Sequence, residues 1–147
     1  RSKKKDLGMM AMSYGNVYVA QVGMGADKNQ LMKAIIEAEK HDGPSLIIAY
    51  SPCIEHGIKT GMQHSQSNGY LATKCGYFLT FRYNPDTKKF SLDSKEPEFD
   101  KYEDYLMTEN RFASLVRKDK ERARLLLEEQ KQWAIDRYNY YKKISEE

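Results

Sequence analysis

Four side chains that can bind metals or carry out nucleophilic chemistry lie between residues 53 and 75. They are Cys53, His56, His64 and Cys75. Two thiols and two imidazoles form a donor set that tetrahedral zinc accepts, but their spacing matches none of the compact zinc-finger or zinc-ribbon patterns. Cys53 could also be a nucleophile with His56 or His64 as its base, although no local protease signature accompanies it. The residue types alone leave both possibilities open.

A short apolar run at residues 45–50 comes shortly before Cys53; a Gly-Pro pair precedes the run, and a Ser-Pro pair separates it from Cys53. Such a run is typical of a strand buried on both faces of a parallel sheet. Open α/β sheets bind ligands at the carboxyl ends of their strands, and Pro52 moves Cys53 off the strand into a loop. The pattern places Cys53 at such an edge. There it could equally be one thiolate of an iron–sulfur cluster whose other ligands lie elsewhere.

A βαβ unit is predicted to hold that edge in place. Residues 16–22 are β-branched and aromatic and predict a buried strand. Residues 28–40 predict a helix with Asp27 as its N-cap, in which Leu31, Ile35 and Ala38 form the packing face. The handedness of such crossovers makes this strand parallel to the one at residues 45–50. His41, at the helix end, is expected to be an exposed cation that interacts favourably with the helix dipole.

The remaining elements are predicted from apolar periodicity. Residues 77–83 and 90–93 predict two further strands, and Cys75, beside the first of them, is expected to be a buried and inert thiol. From Asn110 to the C-terminus the pattern predicts one long amphipathic helix, which needs a surface to cover. We therefore divide the chain into residues 1–108 and a helical segment, residues 109–147.

Composition restricts the classes of function. The 147 residues carry 24 basic and 21 acidic side chains, so the net charge of +3 does not favour nucleic acid as a partner. No apolar run is long enough to cross a membrane, and no secretory signal is visible. Only two cysteines are present, and they are expected to remain thiols or metal ligands in a cytoplasmic protein.

Specific strings of residues resemble one enzyme family over almost the whole chain. The most distinctive is GPSLIIAYSPCIEHG at residues 43–57, and the others lie at residues 3–9, 11–15, 24–30, 81–85, 92–95 and 110–112. Together they closely resemble pyruvate:ferredoxin (flavodoxin) oxidoreductase, in the C-terminal part of its thiamine-diphosphate-binding domain. The resemblance implies an α/β fold, a parallel-sheet fragment of a thiamine-diphosphate-binding fold with a long C-terminal helix. Residues 1–108 would be the C-terminal half of that domain.

The resemblance also implies a function and a ligand. Family members decarboxylate pyruvate on thiamine diphosphate with Mg²⁺, pass electrons through [4Fe–4S] clusters to ferredoxin or flavodoxin, and transfer the acetyl group to coenzyme A. Cys53 matches the family's isolated cysteine, which ligates the cluster nearest the thiamine, whereas the other three ligands lie outside this chain. The implied partners are the other domains of the same enzyme and a second full-length copy in a homodimer. No residue of this chain is assigned a catalytic role.

Two motifs of the family are absent from these residues. The Gly-Asp-Gly and Asn-Thr-Gly-Gly segments that hold the diphosphate and its Mg²⁺ do not occur in this sequence. We therefore expect the chain alone neither to bind thiamine diphosphate well, nor to hold a cluster, nor to oxidise pyruvate. Two alternatives have no catalytic role. One is a zinc-stabilised module built on the two thiols and two imidazoles, and the other is a module that docks on a partner through its C-terminal helix.

Overall fold

The computed structural model describes residues 3–52 and 61–147; for residue 62 it describes the backbone alone.

A parallel βαβ unit forms one half of the sheet, as expected. Helix α1, Leu7–Met12, precedes strand β1, Tyr18–Gly23, and helix α2, Lys28–Lys40, leads to strand β2, Ser45–Tyr50. Asp27 caps α2, since its carboxylate accepts hydrogen bonds from the backbone N–H groups of residues 29 and 30 at 2.8 and 3.1 Å.

The other half of the sheet is an antiparallel hairpin. Strands β3, Phe81–Asn84, and β4, Lys89–Leu92, follow in the order β2-β1-β3-β4, and β3 runs antiparallel to both β1 and β4. The α/β class with a C-terminal helix is confirmed, but the expected parallel-sheet fragment is mixed, because only β1 and β2 are parallel. The physical reason is the short turn after Asn84, whose side-chain oxygen accepts a 2.9 Å hydrogen bond from the backbone N–H of Asp86 and reverses the chain.

Strand β2 differs from its prediction in burial. It was expected to be buried on both faces, but it lies at the end of the four-stranded sheet and its residues alternate between exposed and half-buried. Ile47 keeps 37% of its surface exposed, whereas Tyr18, Val19 and Ala20 in neighbouring β1 are completely buried. An apolar sequence predicts that a strand will be buried, but it does not say whether the residues that bury it belong to the same chain.

The C-terminal half is helical, with one break more than expected. Helix α3, Ser65–Lys74, precedes β3, while α4, Tyr102–Thr108, α5, Asn110–Lys118, and α6, Lys120–Glu146, follow the hairpin. The predicted single helix from residue 110 is thus two helices. Asp119 separates them, because its backbone leaves the helical conformation and its carboxylate accepts a 2.9 Å hydrogen bond from the Arg122 backbone N–H to start α6.

Helix α6 packs its apolar face on the hairpin half of the sheet. The ring of Tyr141 lies 5.2 Å from that of Phe81 and 5.6 Å from that of Phe90, and Tyr138 joins the same core. The partner-docking alternative expected this face to be free, yet the chain covers it with its own strands. On the other side of the sheet, α2 buries Ala34, but the predicted packing residue Ile35 is 41% exposed. None of the described helices has the length and apolar character that a membrane span requires.

Candidate functional site

The carboxyl ends of β1 and β2 form one edge of the sheet, where Gly23 and Tyr50 lie side by side in register. Two residues, Ser51 and Pro52, follow Tyr50 before Cys53. Cys53 and His56 belong to residues 53–60, which lie outside the described part of the chain, so their roles stay predictions. The described residues around this edge are the framework from which that segment leaves.

Close backbone packing brings α3 to this edge. The turn after β1 is closed by a 3.0 Å hydrogen bond from the Ala26 backbone N–H to the Gly23 carbonyl oxygen. At Gly25 a methyl group would lie only 2.1 Å from the carbonyl oxygen of Gln66 in α3, so only glycine allows this approach. This contact between the turn and α3 was not predicted from the sequence.

A chain of three hydrogen-bonding side chains links the end of β2 to α4 and the residue after it. The Tyr50 hydroxyl lies in a short hydrogen bond with the Tyr105 hydroxyl, which in turn donates to a Glu109 carboxylate oxygen at 3.2 Å. Each hydroxyl has one hydrogen, so Tyr50 must donate to Tyr105. Burial raises the pKa of Tyr50 to about 12 and also raises that of Tyr105, so both hydroxyls are protonated at neutral pH. These hydrogen bonds between side chains were not predicted from the sequence, although the i, i+4 spacing of Tyr105 and Glu109 is a signal for the second of them.

A buried amide near the same edge is only half satisfied. Asn68 in α3 is 6% exposed, and the Thr108 hydroxyl oxygen lies 2.9 Å from its Oδ1 and 2.6 Å from the Tyr105 carbonyl oxygen. The shorter bond uses the single hydroxyl hydrogen, so Asn68 pairs best with Thr108 through its NH₂ group. In either orientation one polar atom of the amide has no partner among the described residues. The interior beside this edge is therefore incompletely satisfied.

Cys75 behaves as predicted. Its side chain is completely buried at the end of α3, and its Sγ donates to the Ala72 carbonyl oxygen at 3.5 Å. Burial raises the pKa of the thiol to about 11, so the sulfur is neutral near pH 7. A neutral, inaccessible sulfur is a poor metal ligand, since the thiolate is the binding form. This argues against the zinc site that would need Cys75, and His64 in that set is exposed.

His41 lies at the opposite, amino end of the strands. Its ring is not exposed as expected, because only 5% of the side-chain surface is accessible. Nε2 lies 3.1 Å from the Asn16 carbonyl oxygen and Nδ1 lies 3.1 Å from an Asp86 carboxylate oxygen. Both partners are acceptors, so both ring nitrogens donate, and the bonds to Asn16 and Asp86 raise the pKa of the imidazole. This geometry agrees with the predicted positive charge. The charged ring, however, bonds residues of two loops and does not face solvent.

A cluster of charged groups that was not predicted from the sequence lies on the α2 face of the hairpin. Arg82 makes a bidentate pair with Asp93, at 2.9 and 2.8 Å, and a 2.7 Å bond to Glu37, which also accepts a hydrogen bond from Tyr18 at 2.9 Å. Burial opposes ionisation of Glu37, but the hydrogen bonds from Arg82 and Tyr18 outweigh it and lower the pKa. Open polar clefts of about 250 and 240 Å³ flank Arg82. All the charges of this cluster are paired, which is typical of a structural network.

The described residues do not supply a metal centre. Among residues 3–52 and 61–147, no three His, Cys, Asp or Glu side chains come together as a group that could hold a metal ion. A cluster or Mg²⁺ bound to this protein would therefore need donors from outside the described ranges.

Comparison with known proteins gives long matches to parts of much larger enzymes. The chain is 49% identical to pyruvate-flavodoxin oxidoreductase of Enterobacter agglomerans over 150 residues, and 51% identical to pyruvate:ferredoxin oxidoreductase of Moorella thermoacetica over 150 residues. It is also 40% identical over 151 residues to the mitochondrial pyruvate dehydrogenase (NADP+) of Euglena gracilis. No family model matches the chain.

The coverage of these matches is one-sided. Each of the three alignments includes 99% of this chain, but the chain spans only 13% of the two oxidoreductases and 8% of the Euglena protein. The resemblance inferred from the sequence strings is thus confirmed. The chain matches one small segment of these enzymes from end to end.

Proposed function

We propose that this chain is a segment of a pyruvate:ferredoxin or pyruvate:flavodoxin oxidoreductase, located in the C-terminal part of its thiamine-diphosphate-binding domain. The observation that carries the proposal is the identity of 49–51% over almost the whole chain to two such enzymes. The reaction would be the oxidative decarboxylation of pyruvate to acetyl-CoA in the cytoplasm. On this proposal the segment supplies scaffold and one cluster ligand, and it is inactive alone.

The sheet supports the idea of a segment within a larger fold. Edge strand β2 is apolar, and Ile47 remains 37% exposed, as Ile35 of α2 remains 41% exposed. Proteins usually protect an edge strand with charges, proline or a bulge, and Ser45–Tyr50 contains no charge or proline. The remaining domains of the same polypeptide would cover this edge. The division of the chain at residue 108 also remains part of this proposal.

The proposed cofactors are a [4Fe–4S] cluster, thiamine diphosphate and Mg²⁺ in the complete enzyme. The described residues alone do not fit the cluster or the metal ion, because they bring no three suitable donors together and Cys75 is a buried neutral thiol. On our proposal Cys53 provides one cluster ligand and other parts of the enzyme provide the rest. Coenzyme A, ferredoxin or flavodoxin, and a second full-length copy would be partners of the complete enzyme.

The names of the relatives favour a role in the step on pyruvate rather than in the choice of electron acceptor. They name flavodoxin, ferredoxin or NADP+, yet all three name pyruvate and all three contain the matching segment. A segment that specified the acceptor would be expected to differ most between them. We therefore assign this segment to the pyruvate-oxidising half of the reaction.

The cluster ligand can be tested by comparing two cysteines in the complete enzyme. We expect Cys53→Ser to lower the iron content by one cluster and to slow electron transfer to the acceptor far more than Cys75→Ser. The measurements are iron analysis, the electron paramagnetic resonance signal of the reduced enzyme and the rate of acceptor reduction. Equal effects of the two substitutions would contradict the assignment of Cys53.

A further inference from the structure

The α2 face of the hairpin carries a square of polar side chains at the bottom of a cleft. The register of β3 and β4 places Arg82 opposite Ser91 and Asn84 opposite Lys89. Paired residues of antiparallel strands, and alternate residues along one strand, share a face, so these four side chains form the floor of the cleft of about 250 Å³ beside Arg82. The opposite face of the hairpin packs in the aromatic core under α6. The described chain therefore covers one face of the hairpin and leaves this cleft on the other.

Helix α2 and the hairpin turn form the walls of the cleft. Lys33 and Glu37, one helical turn apart in α2, line one side, and Thr87 lines it from the turn between β3 and β4. Side chains from two strands, a helix and a turn thus converge on one small volume. Pockets for drug-sized ligands begin at about 300 Å³, so this cleft suits a small ion or one charged group of a larger molecule.

The carboxylate in the cleft is already occupied by hydrogen bonds. Glu37 is the only acidic side chain among the described residues of the lining, and its two oxygens accept bonds from Arg82 and Tyr18. Arg82 uses three of its five N–H groups on Glu37 and Asp93, so one N–H on each of its Nη atoms remains for another acceptor. The two carboxylates hold the guanidinium plane in place, which fixes the direction of the remaining donors.

The other lining groups add further donors. The Asn84 side-chain oxygen accepts the backbone N–H of the turn, which leaves its NH₂ group to donate. Within residues 3–52 and 61–147, the hydroxyls of Thr87 and Ser91 have no hydrogen-bond partner, and the ammonium groups of Lys33 and Lys89 are in no ion pair. Both lysines are exposed, whereas Ser91 and Asn84 are half-buried. The cleft therefore has an excess of donors over acceptors.

We propose that this cleft binds phosphate, either as the free ion or as the phosphate group of a small molecule. Its positive charges, on Lys33, Lys89 and Arg82, outnumber the negative charges on Glu37 and Asp93. Lysine ammonium groups bind phosphate as point charges, while arginine N–H groups, hydroxyls and an amide supply directed hydrogen bonds to its oxygens. Donors that converge from several elements favour a tetrahedral ion over a carboxylate, which has two oxygens in one plane.

The test is a nuclear magnetic resonance titration of the 147-residue chain with inorganic phosphate and with methyl phosphate, at an ionic strength held constant with chloride. We expect saturable shifts of the backbone amides of residues 82–91 and of those around Lys33. Lys33→Gln and Lys89→Gln should each raise the Kd about fivefold, and the double variant about 25-fold. Tighter binding of methyl phosphate than of inorganic phosphate would identify a phosphorylated molecule as the ligand, and the reverse order would identify the free ion.

The matched controls are Lys28→Gln in α2 and Lys88→Gln in the hairpin turn, because both lysines are exposed and neither lines the cleft. These variants should bind phosphate as the wild type does. If they weaken binding as much as Lys33→Gln and Lys89→Gln, phosphate is attracted by the basic surface in general and the site is wrong. Shifts that equal those in chloride alone, or that do not saturate, would also overturn the proposal, because an ordinary solvated hairpin face gives that result.

Chemical labelling extends the test to the complete enzyme. Phosphate should protect Lys33 and Lys89 from acetylation by acetic anhydride, measured by mass spectrometry, while Lys28 and Lys88 react as before. Lysines 33 and 89 that stay unreactive without phosphate would show that another domain covers the cleft, which would overturn the proposal for the enzyme. Cys53 takes no part in either experiment, so a negative result leaves the proposed function as it stands.

Discussion

The two halves of the sheet differ in how completely this chain covers them. The hairpin half has an aromatic core under α6 and a charged cluster in which Arg82 pairs with both Asp93 and Glu37. The β2 half is as apolar in sequence, but its edge leaves Ile47 exposed. Among the described residues each half has one buried amide atom without a partner, at Asn68 near the end of β2 and at Gln30, which donates to Asp93. The two halves therefore differ in the coverage of apolar surface rather than in buried polar groups. On the proposed function, the exposed edge of β2 is the side that other domains of the enzyme would cover.

The largest effect on stability is expected for a substitution in the charged cluster of the hairpin half. Arg82→Ala should lower the free energy of unfolding by about 3 kcal/mol, because it leaves two carboxylates close together in a largely buried site. The side chains of Arg82 and Asp93 are only 13% and 15% exposed. Urea unfolding followed by circular dichroism measures the change.

The control for Arg82 is an ion pair on the surface. Arg124 bonds Glu128 at 3.1 Å, but the two side chains are 79% and 61% exposed. Arg124→Ala should therefore change the free energy of unfolding by less than about 1 kcal/mol. Similar losses for the two arginines would mean that the cluster adds no more to stability than a surface pair.

Effects of intermediate size should distinguish the interior strand β1 from the edge strand β2 within the parallel half. Val22 of β1 and Ile47 of β2 lie on the same face of the sheet, but Val22 is 1% exposed and Ile47 is 37% exposed. In the isolated chain we expect Val22→Ala to cost about 2 kcal/mol and Ile47→Ala less than about 1 kcal/mol, although isoleucine loses more carbon atoms. Thermal or urea unfolding of both variants gives the comparison.

The same pair of substitutions tests whether β2 is covered in the complete enzyme. There, burial of Ile47 by another domain would raise the cost of Ile47→Ala towards or above that of Val22→Ala. If Ile47→Ala stays the milder substitution in both settings, the edge of β2 is not covered in the complete enzyme.

The sequence predicted those features that depend on residues close together in the chain. The strand at residues 16–22, the helix at 28–40 and its Asp27 cap follow from local periodicity and capping, and all were confirmed. The buried thiol of Cys75 followed from its apolar neighbours and was also confirmed. The break at Asp119 was missed because a single capping residue interrupts an otherwise helical pattern.

Features that depend on tertiary contacts were not predictable in the same way. Glu37, Arg82 and Asp93 are charged residues far apart in the sequence, and only the antiparallel addition of the hairpin brings them together. The Tyr50 and Tyr105 hydroxyls likewise meet across 55 residues. The rule for parallel strands placed Cys53 at the carboxyl end of β2, which stays a prediction, whereas the hydrogen bonds around that edge came only from the structure.

The smallest effect concerns the amino end of the strands, opposite the proposed site, where His41 joins the loop before β1 to the hairpin turn. The bonds to the Asn16 carbonyl oxygen and Asp86, with Asp42 also near, raise the pKa of the imidazole above its usual value of 6.5, and the Tyr18 ring lies 6.4 Å away. A raised pKa in the folded state stabilises the protein below the unfolded pKa, and this contribution is lost as the pH rises through the folded pKa.

Stability of the isolated chain should therefore contain a small component that decreases across the pH range in which His41 loses its proton. Urea unfolding between about pH 5 and about pH 9 measures it. Asp86→Asn should flatten this part of the profile, because it removes the carboxylate partner, whereas His64→Gln at an exposed position should leave it unchanged. An unchanged slope in Asp86→Asn would show that the Asp86 carboxylate does not contribute to the raised pKa of His41.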